Sequence, residues 1–394
     1  MARTVVIGAA RTPFGRLGGG LAPLSGPQLG THAAAAALER SGVAPDQIDY
    51  VVMGEVLQAG AGQIPSRQVS AGIGLPKTTG SETINKVCAS GMRAAAMADI
   101  YIRAGEYKVV LAGGMESMSN APYLVPKARF GYTMGDGVLV DSMTYDGLTC
   151  TFDGKIMAAQ NSDVSAEIGI GREAQDAWAL RSHQRAVAAI DSGKLGEEIV
   201  AVTVPGRKGE TVVEHDEGPR RDTSAEKLAK LPPVFTKDGA TTAGNAPSVN
   251  DGGAAMVLAD EQWAAEHGHT PLAVVLASGH VADDYAYLVR TPAGAARSAL
   301  EKAGLTLDQV DVIEVNEAFS AVALNTIKLL DVDPDKVNVN GGAVALGHPV
   351  GASGARLMIT MIYELRRRGG GIGLAAICSG AAQGDAIVLE VPAP

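Results

Sequence analysis

Short apolar runs alternate with alanine-rich stretches along most of this chain, and the two patterns have different periods. Runs rich in Val, Ile, Leu and Ala predict strands over Thr4 to Ala9, Tyr50 to Glu55, Lys108 to Ala112 and Ala254 to Ala259. A second series follows at Leu272 to Ser278, Val310 to Val315, Val337 to Val339, Ile372 to Ile377 and Ala386 to Val391. Between them, Gln28 to Arg40, the stretch from Cys88 to about Arg103, Gly294 to Ala303 and Ser353 to Arg368 space their apolar residues as helices do. Arg11 reads as the break that ends the first strand. Strands alternating with helices define an α/β fold.

The pattern also repeats. Ala37-Leu38-Glu39, Gly42, Asp46-Gln47, Asp49 and Glu55 recur as Ala299-Leu300-Glu301, Gly304, Asp308-Gln309, Asp311 and Glu317, and Ala89-Ser90-Gly91-x-Arg93 recurs as Ala352-Ser353-Gly354-x-Arg356. Two homologous βαβαβ-type halves related by a pseudo-twofold axis account for this, and equivalent loops then meet at the junction. The first half is expected over 1–119 together with 251–270, and the second over 271–394. The stretch 120–250 has no counterpart and reads as an inserted loop domain, with one amphipathic helix over Arg172 to Ile190 and a Pro- and charge-rich segment from Pro205 to Lys237.

Composition removes several classes of function. A net charge of −10 gives no basic footprint for nucleic acid, so an anionic ligand needs a local positive site. The three cysteines, Cys88, Cys150 and Cys378, form no Cys-x-x-Cys pair, which points to a reducing compartment rather than a disulfide framework or a zinc site. No secretory segment or apolar run of about 18 residues is present, so a cytoplasmic protein without membrane partners is expected.

Four segments carry candidate chemistry. Cys88, in Asn85-Lys86-Val87-Cys88-Ala89-Ser90-Gly91, stands just ahead of a predicted helix, where the macrodipole and free N–H groups favour a thiolate; the bland alternative is a small buried residue. His348 lies in a glycine-rich loop, Gly341-Gly342-Ala343-Val344-Ala345-Leu346-Gly347-His348-Pro349, which suits a tightly shaped pocket better than a solvated turn. Cys378 opens a turn of small residues, Cys378-Ser379-Gly380-Ala381-Ala382, whose backbone N–H groups can face an oxyanion, though packing is the commoner use of such a cysteine. Asn316 and Glu317 close a strand, where ligands bind in open α/β sheets; a helix cap is the competing reading.

These segments, in this order over residues 3 to 391, resemble the thiolase family, as does the start Gly8-Ala9-Ala10-Arg11-Thr12-Pro13-Phe14-Gly15. The resemblance implies that Cys88 takes the acyl group as a thioester with His348 beside it, and that Cys378 moves the α-proton. It further implies that His348 and a water on Asn316 stabilise the enolate oxygen, while the N–H groups of Cys88 and Gly380 hold the tetrahedral oxyanion. Acyl-CoA and coenzyme A are the implied partners, as substrates and products, with no metal or redox cofactor and a place in fatty acid metabolism. Arg220 matches the position at the nucleotide end of coenzyme A. Leu148, Met157, Phe235, Ala243, Ala318 and Phe319 match those around pantetheine and the acyl group, and Arg207, Lys208 and Arg221 add positive charge. The stretch Val125 to Met143 resembles a tetramer-forming loop, so a homotetramer is expected.

The chain also departs from the family. Pro247 precedes Ser248 where a serine usually touches pantetheine, Leu288 occupies a methionine position within an altered stretch from Tyr285 to Thr291, and Ile156 replaces a common histidine. Acetoacetyl-CoA chemistry is the expected activity. A 3-ketoacyl-CoA thiolase of longer or unusual acyl specificity is the first alternative, and a coenzyme A or acyl carrier of the same fold without turnover the second.

Overall fold

The computed structural model describes residues 3–206 and 209–393. Nine strands form the spine: β1 Thr4–Arg11, β2 Tyr50–Gly54, β3 Gly80–Ile84, β4 Val109–Ser117, β5 Asn250–Asp260, β6 Ala273–Ala282, β7 Val312–Val315, β8 Gly371–Ser379 and β9 Gln383–Val391. They run in the order β7-β8-β9-β6-β1-β5-β4-β2-β3. The arrangement is symmetric about the centre, where β1 and β6 pair antiparallel through Thr4 with Val275 and Val5 with Val274. Outward from that seam each half adds two antiparallel neighbours and then a parallel one, and the first half adds β3 as a second parallel strand.

The seven longest helices among the described residues are α1 Gly26–Ser41, α2 Ser90–Ala104, α3 Met157–Glu167, α4 Arg172–Asp191, α5 Thr291–Ala303, α6 Ser320–Leu330 and α7 Ser353–Arg367. Many repeated residues are punctuation. Gly42 and Gly304 end α1 and α5 with left-handed φ of 67° and 68°, a conformation that costs glycine little. Gln47 and Gln309 then accept the backbone N–H of Ala44 and Thr306, and Asp49 and Asp311 each cap the start of a neighbouring strand. The second motif marks where the halves touch. A Cβ on Gly91 would lie 2.8 Å from the Gly351 carbonyl, and one on Gly354 only 2.5 Å from the Met92 nitrogen, so α2 and α7 cross at their first turns because both residues lack side chains. Behind that crossing Met92, Ala95, Ile102, Met358, Ile359 and Ile362 share one core.

Some expected boundaries change. Arg11 does not interrupt β1: it lies within the strand, fully buried, with Nε 2.6 Å from Glu198 and Nη1 2.7 Å from Asp216. Burial opposes its charge, but the two carboxylates outweigh burial and hold the guanidinium above its ordinary value. Val337 to Val339 is not a strand; only Val337 bridges, to Ile313. Asn338 turns to φ 49° and its side-chain amide replaces the ladder, accepting from Val315 N at 2.8 Å and donating to Val315 O at 2.9 Å. The inserted stretch holds a second long helix, α3, invisible to periodicity because its inner face is polar: Asn161 and Ser162 both bond Thr241.

Candidate active site

The crossing of α2 and α7 carries two loops to one place. Cys88 sits ahead of α2 after Val87, whose φ of 44° turns the chain, with Ser90 Oγ accepting from Lys86 N and donating to Val87 O. His348 sits ahead of α7, its backbone N–H on Asn250 Oδ1 at 2.8 Å. Cys378 lies one residue from the end of β8 in the same region, and all three line one cleft of about 340 Å³. The walls are apolar: Met118, Leu148, Ile156, Met157, Leu288 and Val350 among others.

Of the residues expected around a substrate, Leu148, Met157, Phe235, Ala243, Ser248, Ala318 and Phe319 line this cleft. Ser248 donates its hydroxyl to Asn250 Oδ1 at 3.0 Å, and so supports the His348 loop through Asn250. Arg220 does not line the cleft. It is exposed, with its backbone N–H on His183 Nδ1 at 3.1 Å, and Arg221 pairs instead with Asp191. Arg207 and Lys208 lie outside the described residues. Gly380 reaches the site through its backbone, whose N–H, with that of Cys88 itself, favours the Cys88 thiolate.

Electrostatics follow from dryness. Burial pushes the Cys88 thiol up to about 12, opposed by those two N–H groups, and burial together with neighbouring Cys88 raises Cys378 well above its ordinary value. Burial, helped by the Arg356 charge, pushes His348 down to about 3, so the imidazole rests neutral. Its Nδ1 lies 2.6 Å from Ser353 Oγ, which also bonds the Pro349 carbonyl at 2.9 Å. A carbonyl only accepts, so the hydroxyl gives its proton there and takes the imidazole Nδ1–H, leaving Nε2 unprotonated as an acceptor. Asn316 Nδ2 faces that nitrogen at 3.4 Å, and its buried Oδ1 has no partner among the described residues, as suits a bound water.

Glu317, by contrast, is a tie between lobes. Its carboxylate accepts from Trp178 Nε1 (2.9 Å), Ser182 Oγ (2.7 Å), Asn338 Nδ2 (2.8 Å) and Val344 N (3.0 Å), which fixes α4 of the inserted stretch to the strand end carrying Asn316. Sequence reasoning singled out neither Ser353 nor Asn250. Ser353 was visible within the repeated Ala-Ser-Gly motif, but its distance from His348 was not; Asn250 carried no local signal.

The duplicated α/β fold and its dry, two-thiol cleft mark the acyltransferase class of enzyme. The chain belongs to the thiolase family: the model of the thiolase N-terminal domain matches residues 4–262 and that of the C-terminal domain 269–391. It is 49% identical over 390 residues to a probable acetyl-CoA acetyltransferase of Mycolicibacterium smegmatis, covering 98% of this chain and 100% of that one. It is 47% identical to an acetyl-CoA acetyltransferase of Chromobacterium violaceum, with coverage of 98% and 99%. Among solved structures, the acetyl-CoA acetyltransferase of Bacillus anthracis superposes with a TM-score of 0.97 at 39% identity, covering 99% of both chains. That of Syntrophomonas wolfei gives 0.97 at 42%, covering 99% of this chain and 100% of that one.

Proposed function

We propose that the chain is an acetyl-CoA C-acetyltransferase, interconverting two acetyl-CoA with acetoacetyl-CoA and free coenzyme A by a ping-pong route. The observation that carries this reading is the meeting of Cys88 and Cys378, from opposite halves, in one apolar cleft with His348. Cys88 attacks the first thioester as its proton passes to His348 Nε2, so thiolate character develops together with the imidazolium that stabilises it. The tetrahedral oxyanion lies against the N–H groups of Cys88 and Gly380. Coenzyme A leaves with the proton of Cys378, which becomes the base. Cys378 then takes the α-proton of the second acetyl-CoA, and the enolate oxygen is held by the His348 Nε2–H and the water on Asn316. The carbanion displaces Cys88 from its acyl group, and Cys88 recovers its proton from His348. Atoms and electrons balance without a metal or redox cofactor, and coenzyme A enters only as substrate and product.

The exposed guanidinium of Arg220 is assigned to the nucleotide end of coenzyme A, outside the cleft. A homotetramer accompanies the reading. Phe130 and Met134 stand 94% and 96% exposed on the loop between the short strands Tyr123–Leu124 and Val140–Asp141, an apolar tip that water alone does not favour. Among the described residues no helix is long and apolar enough to cross a membrane, and a cytoplasmic location is proposed with the rest. A second reading, a thiolase for longer 3-ketoacyl groups, draws on Leu288 in the wall and on Tyr285, which stacks on Phe152 at 3.7 Å between centroids. A several-fold preference for longer 3-ketoacyl-CoA over acetoacetyl-CoA decides for it.

The direct test is mass spectrometry after brief mixing with acetyl-CoA. One acetyl group is expected on the Cys88 peptide; Cys88→Ala that still labels and turns over normally refutes the mechanism.

A further inference from the structure

Two tight turns meet across the lobes, and one residue ties them. Lys86, two positions ahead of Cys88, pairs its ammonium with the carboxylate of Asp385 on β9. Asp385 is buried and lies opposite Ile377 in the sheet, next to Cys378. The carbonyl of the same lysine accepts from Ser379 Oγ. Lys86 is thus held by the second half through both side chain and backbone.

Between these ties stand the two groups that matter to Cys88. Val87 is left-handed at φ 44°, and its side chain covers Gly380, where a Cβ would come within 3.2 Å of Val87 Cγ2. Ala381 and Ala382 follow at φ 57° and 48°, a region that residues with side chains occupy only where their surroundings hold them. Gly380, packed against the residue that precedes Cys88, therefore belongs to a turn with a backbone preference for being elsewhere.

We infer that Lys86 and Asp385, with Ser379, are positioning residues that hold the Gly380 turn against the Val87–Cys88 loop for acyl transfer. This rests on the acyl-Cys88 reading above. The pair is poorly explained as a stabiliser: the Lys86 side chain remains 19% exposed, which weakens the attraction, while burying Asp385 carries a desolvation cost that an apolar pair avoids. What the pair does supply is a fixed distance between the Cys88 loop of one half and the start of β9 in the other.

The test uses the full chain with Lys86→Met, Asp385→Asn and Ser379→Ala, Lys86→Arg as the conservative variant, and the double variant K86M/D385N. Three quantities are measured: kcat and KM for acetyl-CoA, the pH profile of Cys88 alkylation by iodoacetamide without substrate, and Tm. An oxyanion donor is worth on the order of 10²–10³ in rate, and a displaced one forfeits part of that. Lys86→Met and Asp385→Asn are therefore expected to lower kcat by about 10- to 100-fold with KM within about threefold, and to move the alkylation profile to higher pH. Ser379→Ala shifts both in the same direction by less, Lys86→Arg recovers most of kcat, and the double variant is no worse than the worse single one. Folded single variants with kcat within about twofold of the parent overturn the inference. So does a loss of kcat that tracks Tm while the alkylation profile stays in place, because a purely structural pair gives that result. A parent without thiolase turnover would defeat the proposed function instead, and the alkylation profile would still report on the clasp.

Discussion

Replacing Ser353 by alanine tests the proton arrangement on which acyl transfer depends. Ser353 is fully buried at the first turn of α7, does not line the cleft, and bonds His348 Nδ1 at 2.6 Å and the Pro349 carbonyl at 2.9 Å. Alanine suits the helix, so the backbone should hold. What is lost is the acceptor for Nδ1–H. A buried donor left without a partner costs about 1–3 kcal/mol, and the imidazole can escape that cost by carrying its proton on Nε2, where it no longer accepts from Cys88. At about 1.4 kcal/mol per tenfold, the first half-reaction should slow by roughly 5- to 100-fold, with little change in KM. The assay is single-turnover release of coenzyme A from acetyl-CoA, with Tm as the check on folding. A folded Ser353→Ala that acylates within about twofold of the parent would falsify the assignment of Nδ1–H and the role given to Nε2.

Three further outcomes are expected. Cys378→Ala should accept the acetyl group on Cys88 yet fail to condense, as read by mass spectrometry and by acetoacetyl-CoA formation; equal loss of both half-reactions contradicts its role as base. Arg11→Met leaves Glu198 and Asp216 buried without their cation and should destabilise the chain by about 3–5 kcal/mol, with proteolysis opening the segments around Glu198 and Asp216 first; a Tm unchanged within about 2 °C counts against the network as the anchor of those segments. Burial, with Glu116 nearby, raises Glu55 to about 8, so its folded carboxyl stays protonated where the unfolded one ionises. That contribution is complete below about pH 4.5 and is lost as pH rises through about 8, so Glu55→Gln should gain on the order of 2 kcal/mol relative to the parent at pH 9 and much less at pH 5. Parallel stability curves for the two proteins refute it.

Much of the fold was legible because its signals are local. Apolar runs of strand length, alanine-rich helical stretches and the left-handed stops at Gly42 and Gly304 all act within a few residues, and duplication displayed them twice. Where a side chain did backbone work, local reading failed. Asn338 took over a strand's hydrogen bonds, and α3 buried a polar face that left no apolar period. Arg11 read as an interruption because its two carboxylates lie 187 and 205 residues away.

The sequence by itself determined the α/β class, the duplication and the residue types able to do thiol chemistry, since each is written in short-range pattern. Only the tertiary structure decided that the two Ala-Ser-Gly motifs meet, glycine against backbone, and so bring Cys88 and His348 into the cleft that Cys378 enters from β8. It also decided their protonation. A thiol or an imidazole has no fixed acidity in sequence, and the burial and N–H groups that set it come from residues hundreds of positions apart.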